Sequence, residues 1–161
     1  MELWDAYDRD GSLIDGALLR RGEDIPQGMY HLVSDVLVRH RDGSYLLMQR
    51  DPHKKWGGMW EATAGGSALR GETALDCALR ELREETGIRA EELREVGKVT
   101  SPDTIYVEFL CLTDWEKNAV TLQKGETVAF RWVSGEELLA MDRDDLITSR
   151  MQHFIRELQP G

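Results

Sequence analysis

The sequence has 161 residues, of which 41% are hydrophobic and 31% charged, a composition typical of a globular domain with its own core. Its formal net charge of −10 excludes nonspecific nucleic-acid binding, and it has no apolar run of the roughly 20 residues that a membrane span needs. The acidic N-terminus also lacks the basic start of a signal peptide. We therefore expect one domain over residues 1–161, in the cytoplasm and with no membrane or nucleic-acid polymer as a partner.

The N-terminal half predicts β-strands separated by turns. An Asp10-Gly11 turn follows the first strand, and residues 16–29 are expected to be irregular. Residues 40–43, His-Arg-Asp-Gly, give a hairpin signal, and 51–58 form a loop rich in Lys and Gly. The apolar and β-branched runs that predict strands are 3–7, 30–38, 45–49 and 59–64.

The next segment predicts a helix from Thr73 to Gly87. Asp76 stands three residues after Thr73, as in a capping box, and Gly87 suits the left-handed position that ends many helices. The spacing i, i+3, i+4, i+7 predicts an inward apolar stripe formed by Leu75, Ala78, Leu79 and Leu82.

Three carboxylates, Glu81, Glu84 and Glu85, fall on one side of this helix at i, i+3 and i+4. Like charges at these spacings repel each other, so a cation is expected to neutralise them. Oxygen ligands suit a hard ion such as Mg²⁺, which binds through carboxylates and substrate phosphates. The segment therefore points to metal-assisted phosphate chemistry, and the alternative is a solvated acidic helix end with Glu–Arg pairs.

The C-terminal half predicts strands at 96–100, 105–112 and 128–133, a helix that starts near Ser134, and a last helix over 146–158. The mixture predicts an α/β fold in which helices enclose a sheet. The two cysteines, Cys77 and Cys111, have no metal-binding spacing and are expected to be buried thiols.

A longer motif surrounds the carboxylates: Gly66, five residues, Glu72, seven residues, and then Arg-Glu-Leu-Arg-Glu-Glu-Thr-Gly-Ile over 80–88. This pattern resembles the signature of the Nudix hydrolases at every defined position. The resemblance implies an α/β/α sandwich with a mixed β-sheet and the signature as loop-helix-loop. It also implies Mg²⁺-dependent cleavage of a small-molecule diphosphate, with Mn²⁺ as the alternative ion.

The resemblance also implies roles for single residues. Glu84 and Glu85 correspond to the main metal ligands, Glu81 to a further ligand or the base, and Arg80 to the residue that orients the carboxylates. Glu126 resembles a distal metal carboxylate, with a surface loop glutamate as the alternative. The predicted catalytic residues are Glu81, Glu84 and Arg80; the predicted metal ligands are Glu81, Glu84, Glu85, Glu126 and the backbone carbonyl of Gly66.

Basic and aromatic residues near the expected cleft supply candidates for substrate binding. Arg50 and Lys54 can hold phosphates, although Lys54 and Lys55 suit a solvated loop equally well. Trp56 is a candidate to stack on a base, and His31 is either a binding residue or a hydrogen-bonded strand histidine. The predicted substrate-binding residues are Arg50, Lys54, Lys55, Trp56 and His31.

Residues 1–66 resemble the isopentenyl-diphosphate isomerase-like branch of the same family, through Tyr30-His31 and the run 54–61. Isomerases of that branch have a catalytic cysteine where this chain has Gly65, and histidines where it has Ser67 and Asp24. The expected function is therefore a pyrophosphohydrolase acting on a nucleoside diphosphate derivative or a related small organic diphosphate. An isomerase-like enzyme and a non-catalytic nucleotide-binding domain are the alternatives, and a homodimer is the expected assembly.

Overall fold

The computed structural model describes residues 1–142 and 144–145. The first structural unit along the chain is a separate two-stranded sheet. Its antiparallel strands are β1 (Leu3–Tyr7) and β2 (Leu13–Arg20), joined through the predicted turn, where Gly11 has a φ of +85°. The prediction of irregular structure from residue 16 is wrong as far as residue 20. Most side chains of β2 are exposed, so this strand is set by backbone pairing and has no hydrophobic alternation in its sequence.

The larger sheet has seven strands and is mixed. The strands are β3 (His31–His40), β4 (Tyr45–Arg50), β5 (Trp60–Glu61), β6 (Ala64–Ser67), β7 (Glu92–Thr100), β8 (Thr104–Thr113) and β9 (Thr127–Val133). The main order is β5-β4-β3-β8-β7, and β9 lies on the other edge of β4. The pairing of β3 with β8 is parallel and the other pairings are antiparallel, which confirms the mixed sheet.

The predicted strand at 59–64 is two short strands, β5 and β6. β5 pairs with β4 and β6 pairs with β3, so the segment lies between those two strands. β8 pairs along the whole of β3, so β4 and β6 share the other edge of β3. β4 pairs with β3 near the hairpin and with β5 further along. Residues 60–67 are therefore wedged between β3 and β4 where these strands diverge, and they form the floor of a cleft.

A helix packs on each face of this sheet. The helix α1 (Ala74–Thr86) buries Cys77, Ala78 and Leu82 against apolar residues of β3, β4 and β8. The short helix α2 (Gly135–Ala140) follows a capping box at Ser134, as predicted, and buries Leu138 against the opposite face. The α/β/α arrangement is confirmed, while the predicted helix over 146–158 lies outside the described residues, and the single domain over 1–161 stays a prediction.

The inward stripe of α1 differs from the predicted one. Leu75 is 45% and Leu79 40% exposed, so these two predictions are wrong, whereas Ala78 and Leu82 are fully buried. The face of α1 that carries Cys77, Ala78 and Leu82 packs on the sheet. The carboxylates lie next to this face and therefore line the cleft. Both cysteine thiols are buried and free, as expected.

No helix in the described part of the chain is both long enough and apolar enough to span a membrane.

Candidate active site

The second half of α1 presents its three carboxylates to the cleft. Glu85 is only 8% exposed, the Glu81 side chain is 14% exposed, and that of Glu84 is 41% exposed. They lie on one side of the helix because residues three and four apart are neighbours on a helical surface. The three predicted residues are therefore brought together at graded depth, with Glu85 innermost.

Local interactions at both ends of α1 fix its position. The Thr73 hydroxyl accepts the Asp76 N–H at 3.1 Å, and the Asp76 carboxylate accepts the Thr73 N–H at 3.0 Å, which forms the predicted capping box. Gly87 has a φ of +80° and donates its N–H to the Arg83 carbonyl at 2.8 Å. A residue with a side chain is strained in this left-handed conformation, so glycine is favoured where the helix ends.

Arg80 connects the carboxylates to the loop before the helix. Its Nε and Nη2 donate to the two carboxylate oxygens of Glu72 at 2.7 and 2.9 Å. Its Nη1 donates to Glu81 at 2.8 Å and to Glu84 at 3.3 Å, and Nη2 also reaches the Ser67 carbonyl at 3.2 Å. Hydrogen bonding to Arg80 lowers the pKa of Glu72, and these acidic partners raise the pKa of Arg80. One guanidinium thus holds two of the three carboxylates in place.

Glu85 and Glu81 form a buried like-charged pair. Burial raises the pKa of the Glu85 carboxyl well above its usual range, and the neighbouring Glu81 raises it further. Burial also raises the pKa of Glu81, against the opposing influence of Arg80. The N–H of Gly65 donates to Glu85 at 3.3 Å, which compensates part of the cost of burial. A pair of this kind is costly to ionise without a cation beside it.

The chemistry of the donors suits a hard divalent cation, but the carboxylates are arranged around the protein's own cations. Within residues 1–142 and 144–145, no three His, Cys, Asp or Glu side chains are grouped closely enough to hold a metal ion. Arg80 binds Glu81 and Glu84, and Lys54 forms an ion pair with Glu126. The oxygen-only chemistry and the buried Glu81–Glu85 pair are what a hard cation would stabilise.

Gly66 lies directly against Glu81. A Cβ atom at Gly66 would come closer to the Glu81 carboxylate than any real Cβ contact allows. The Gly66 carbonyl, a predicted metal ligand, accepts the Cys77 thiol at 3.3 Å on the side of the helix. Burial raises the pKa of Cys77 to about 11, so this thiol stays protonated and can donate. The glycine in the motif therefore allows the carboxylate to approach the backbone.

Two adjoining cavities of about 430 and 280 Å³ occupy the cleft. Both are lined by Lys54, Glu85, Glu126 and the backbone of Gly65 and Gly66. The smaller cavity extends over the outer part of α1, and the larger one runs along β3 toward β5. Their total size is within the range of small-molecule sites.

Two of the predicted substrate-binding residues line the larger cavity. Arg50 donates from Nη1 to Glu61 at 3.0 Å and from Nε to the Lys55 carbonyl at 2.9 Å, so its guanidinium is held in one orientation. Lys54 lies opposite Glu85 and pairs with Glu126, which brings the predicted distal carboxylate into the cleft.

The other three predicted binding residues lie outside the lining of both cavities. His31 stacks on Trp4 with ring centroids 4.3 Å apart, and its Nδ1 lies 3.2 Å from the Thr104 hydroxyl. Burial lowers the pKa of His31. Trp56 is 59% exposed with a φ of 61°, and the Lys55 ammonium lies 5.7 Å from its ring. The position of His31 suits the alternative of a strand histidine, and that of Lys55 suits the alternative of a solvated loop. Trp56 lies exposed in the same loop, and the binding roles of all three stay predictions.

Several lining residues were missed from the sequence. Asp35 and Tyr106 line the larger cavity from β3 and β8, and Glu61 lines it from β5. Asp35 interrupts an otherwise apolar strand, which was a usable signal, because a charge in a buried strand requires a polar environment. Glu2 and Arg21 line the smaller cavity from the N-terminal sheet, and no sequence pattern linked these two residues to the helix.

Comparisons with known proteins agree with this geometry. A model of the NUDIX domain matches residues 29–158. The uncharacterized Nudix hydrolase lmo0368 of Listeria monocytogenes is 34% identical over 144 residues, which is 88% of this chain and 85% of that protein. The CTP pyrophosphohydrolase of Escherichia coli is 36% identical over 114 residues, 69% of this chain and 80% of that protein.

Among solved structures, the crystal structure of DR0079 from Deinococcus radiodurans superposes with a TM-score of 0.78 at 16% identity. The match covers 99% of this chain and 100% of that one, so it includes the N-terminal sheet that precedes the domain match. At this identity the likeness shows the fold alone.

Proposed function

Because the chain belongs to the Nudix hydrolase family, whose members act on phosphorus anhydrides, we propose that it is a Mg²⁺-dependent pyrophosphohydrolase. The proposed substrate is a nucleoside diphosphate derivative or a related small organic diphosphate, cleaved by attack of water at phosphorus. The observation that carries the proposal is the buried Glu81–Glu85 pair on α1, which lines a cleft that basic residues also line. The relationship to a CTP pyrophosphohydrolase supports a nucleotide substrate.

Each part of the cleft has a task in this proposal. Glu81, Glu84, Glu85, Glu126 and the Gly66 carbonyl would hold the divalent cation, which supplies charge neutralisation and a lowered pKa for a bound water. Mn²⁺ has the same ligand preference and is the alternative ion. Arg80 keeps Glu81 and Glu84 oriented through the contacts described above, and a positioned carboxylate, Glu81 or Glu84, removes the proton of the attacking water.

The basic side chains act on the substrate. Arg50, held by Glu61 and the Lys55 carbonyl, presents a fixed guanidinium to a phosphate, and Lys54 acts as a point charge beside it. In this way the anionic substrate binds in a cleft that carries several carboxylates.

Position 65 argues against the isomerase alternative. A Cβ atom at Gly65 would lie 2.5 Å from Asp35 Oδ1 and 3.2 Å from the Ser34 carbonyl oxygen. A cysteine side chain at this position would therefore require Asp35 to move. Gly65 itself has no side chain that could add a proton to an alkene.

The direct test is phosphate or monophosphate release from a panel of nucleoside diphosphates, nucleoside triphosphates, nucleotide sugars and prenyl diphosphates, with Mg²⁺, with Mn²⁺ and with a chelator. We expect metal-dependent turnover of a nucleotide class and none with the chelator. Saturable nucleotide binding without turnover would favour the non-catalytic domain, and interconversion of five-carbon diphosphates would favour the isomerase. Light scattering after size exclusion tests the expected homodimer separately.

A further inference from the structure

The N-terminal two-stranded sheet brings an arginine to the smaller cavity, opposite the carboxylates of α1. Arg21 and Glu2 line this cavity together with Glu81 and Glu84. Both residues precede position 29, where the match to the domain model begins. The cavity therefore has a wall that the family domain alone does not supply.

This wall is held in a defined position. Trp4 of β1 stacks on His31 at the start of β3, and Tyr7 exchanges backbone hydrogen bonds of 2.9 Å with Tyr30. The Asp5 carboxylate accepts the Gly71 N–H at 2.8 Å, in the loop that leads to α1. The two-stranded sheet is thus attached both to β3 and to the loop before α1. These contacts fix the position of Arg21 relative to α1.

Contacts to Glu2 orient the Arg21 side chain. The Arg21 N–H donates to the Glu2 carbonyl at 3.0 Å, and Nη1 donates to Glu2 Oε2 at 3.2 Å. The other oxygen of Glu2 accepts the Trp4 indole N–H at 2.8 Å, so Glu2 is itself anchored. A guanidinium has five N–H donors, and this pairing engages one of them while the side chain stays 67% exposed.

The other two cations that line the smaller cavity, Arg80 and Lys54, are also paired with carboxylates, and Arg80 makes more such contacts than Arg21 does. Arg80 donates to Glu72, Glu81 and Glu84, and Lys54 pairs with Glu126. A forked guanidinium can donate to two oxygens of a diphosphate that lies over α1. Arg21 lines this same cavity.

We propose that Arg21 is a substrate-binding residue that contacts a phosphate group of the diphosphate from the side opposite α1. The proposal rests on the proposed function, because it takes a diphosphate as the ligand. It gives the N-terminal sheet a direct part in substrate binding.

The test is a calorimetric titration of the 161-residue chain, in Mg²⁺, with methylenediphosphonate, a diphosphate analogue whose bridging P–C bond water does not cleave. We expect Arg21→Gln to weaken binding about tenfold, the value of a charge-assisted hydrogen bond, and Arg21→Lys to recover part of the loss. Arg20→Gln is the matched control, because Arg20 is the exposed neighbour in sequence and does not line this cavity. We expect it to bind as the wild type does.

Steady-state kinetics with the best substrate of the panel add a second readout. Arg21→Gln should raise KM about tenfold and change kcat by less than about twofold, since the contact serves binding. Its melting temperature should stay within about 2 °C of the wild type, because an exposed ion pair adds little stability.

Unchanged analogue binding in Arg21→Gln, or an equal loss in Arg20→Gln, would overturn the role of Arg21 whether or not the enzyme turns over a diphosphate. Absence of turnover on the whole panel, with the analogue still bound through Arg21, would overturn hydrolysis and leave Arg21 as a diphosphate ligand. The two failures are therefore distinguishable.

Discussion

The two walls of the cleft differ in how tightly their side chains hold each other. On the α1 wall, Arg80 contacts three carboxylates and Glu85 is almost completely buried. The loop 51–58 contributes Lys54 to the opposite wall, while its Lys55 and Trp56 are exposed and lie outside the lining of both cavities. The carboxylates of the α1 wall are thus held by several contacts to one guanidinium. In the loop, hydrogen bonds hold the backbone, while the exposed side chains of Lys55 and Trp56 contact each other. Substitutions on the α1 wall should therefore change activity far more than substitutions in the loop 51–58.

The largest effect is expected for Glu85→Gln, which removes the innermost charge of the α1 wall. We expect kcat to fall by about 10²- to 10³-fold in Mg²⁺, the cost of losing a positioned charge from a reaction centre. Glu92→Gln, on exposed β7, is the control and should keep the wild-type rate. Full activity of Glu85→Gln would mean that the metal and the reaction lie elsewhere.

The same variant should be more stable than the wild type when a chelator is present. The pKa of Glu85 is raised in the folded protein, so its carboxyl adds no cost to folding below the unfolded value near 4.5 and an increasing cost as the pH rises above it. The melting temperature of Glu85→Gln should therefore exceed that of the wild type at pH 8, and the two should converge near pH 4.5. Melting curves in a chelator at both pH values measure this. A wild type that is the more stable at pH 8 would contradict the buried like-charged pair.

Smaller effects are expected when the two glycines of the motif, Gly66 and Gly87, are replaced by alanine. One substitution should lower activity and the other should lower stability. Gly66→Ala forces Glu81 to move because the new Cβ would occupy its place, so kcat should fall by about 10- to 100-fold with little change in melting temperature. Gly87→Ala places a side chain at a φ of +80°, 2.9 Å from the Thr121 hydroxyl, and should cost about 1–2 kcal/mol of stability. Activity per folded molecule should change less in Gly87→Ala than in Gly66→Ala. The opposite order would mean that Gly66 serves the fold alone.

The contrast between the walls also explains what could be predicted from the sequence. The motif from Gly66 to Gly87 fixes the carboxylates because each residue contacts others within the same short segment: Arg80 reaches Glu72, Glu81 and Glu84. Local spacing therefore carried the information, and it predicted the capping box as well, whereas the mixed sheet was implied by the resemblance to the Nudix family. The orientation of the apolar stripe was not, because Leu75 fits the helical period as well as Cys77 does, and only the sheet decides which faces inward.

Some residues that reach the cleft from distant parts of the sequence were missed, among them Glu2 and Arg21. Arg21 and Glu84 line the same cavity only because the N-terminal sheet is attached to β3 and to the loop before α1, through contacts that local patterns do not encode. In the loop 51–58, Lys54 and Lys55 have the same chemistry in adjacent positions. Tertiary structure alone directs Lys54 to Glu126 and the cavities, while Lys55 turns outward to Trp56.

The smallest effects, and the sharpest comparison of neighbouring residues, are expected for that lysine pair. Lys54→Gln should raise KM about fivefold, as expected for a partly exposed point charge near a phosphate. Lys55→Gln should change KM by less than about twofold, because its ammonium lies against the exposed Trp56 ring. Lys54→Gln should also tighten Mn²⁺ binding measured without substrate, since Glu126 loses the ammonium that competes with the metal. An equal rise of KM in the two variants would mean that the loop rearranges around the substrate, and unchanged Mn²⁺ affinity would separate Glu126 from the metal site.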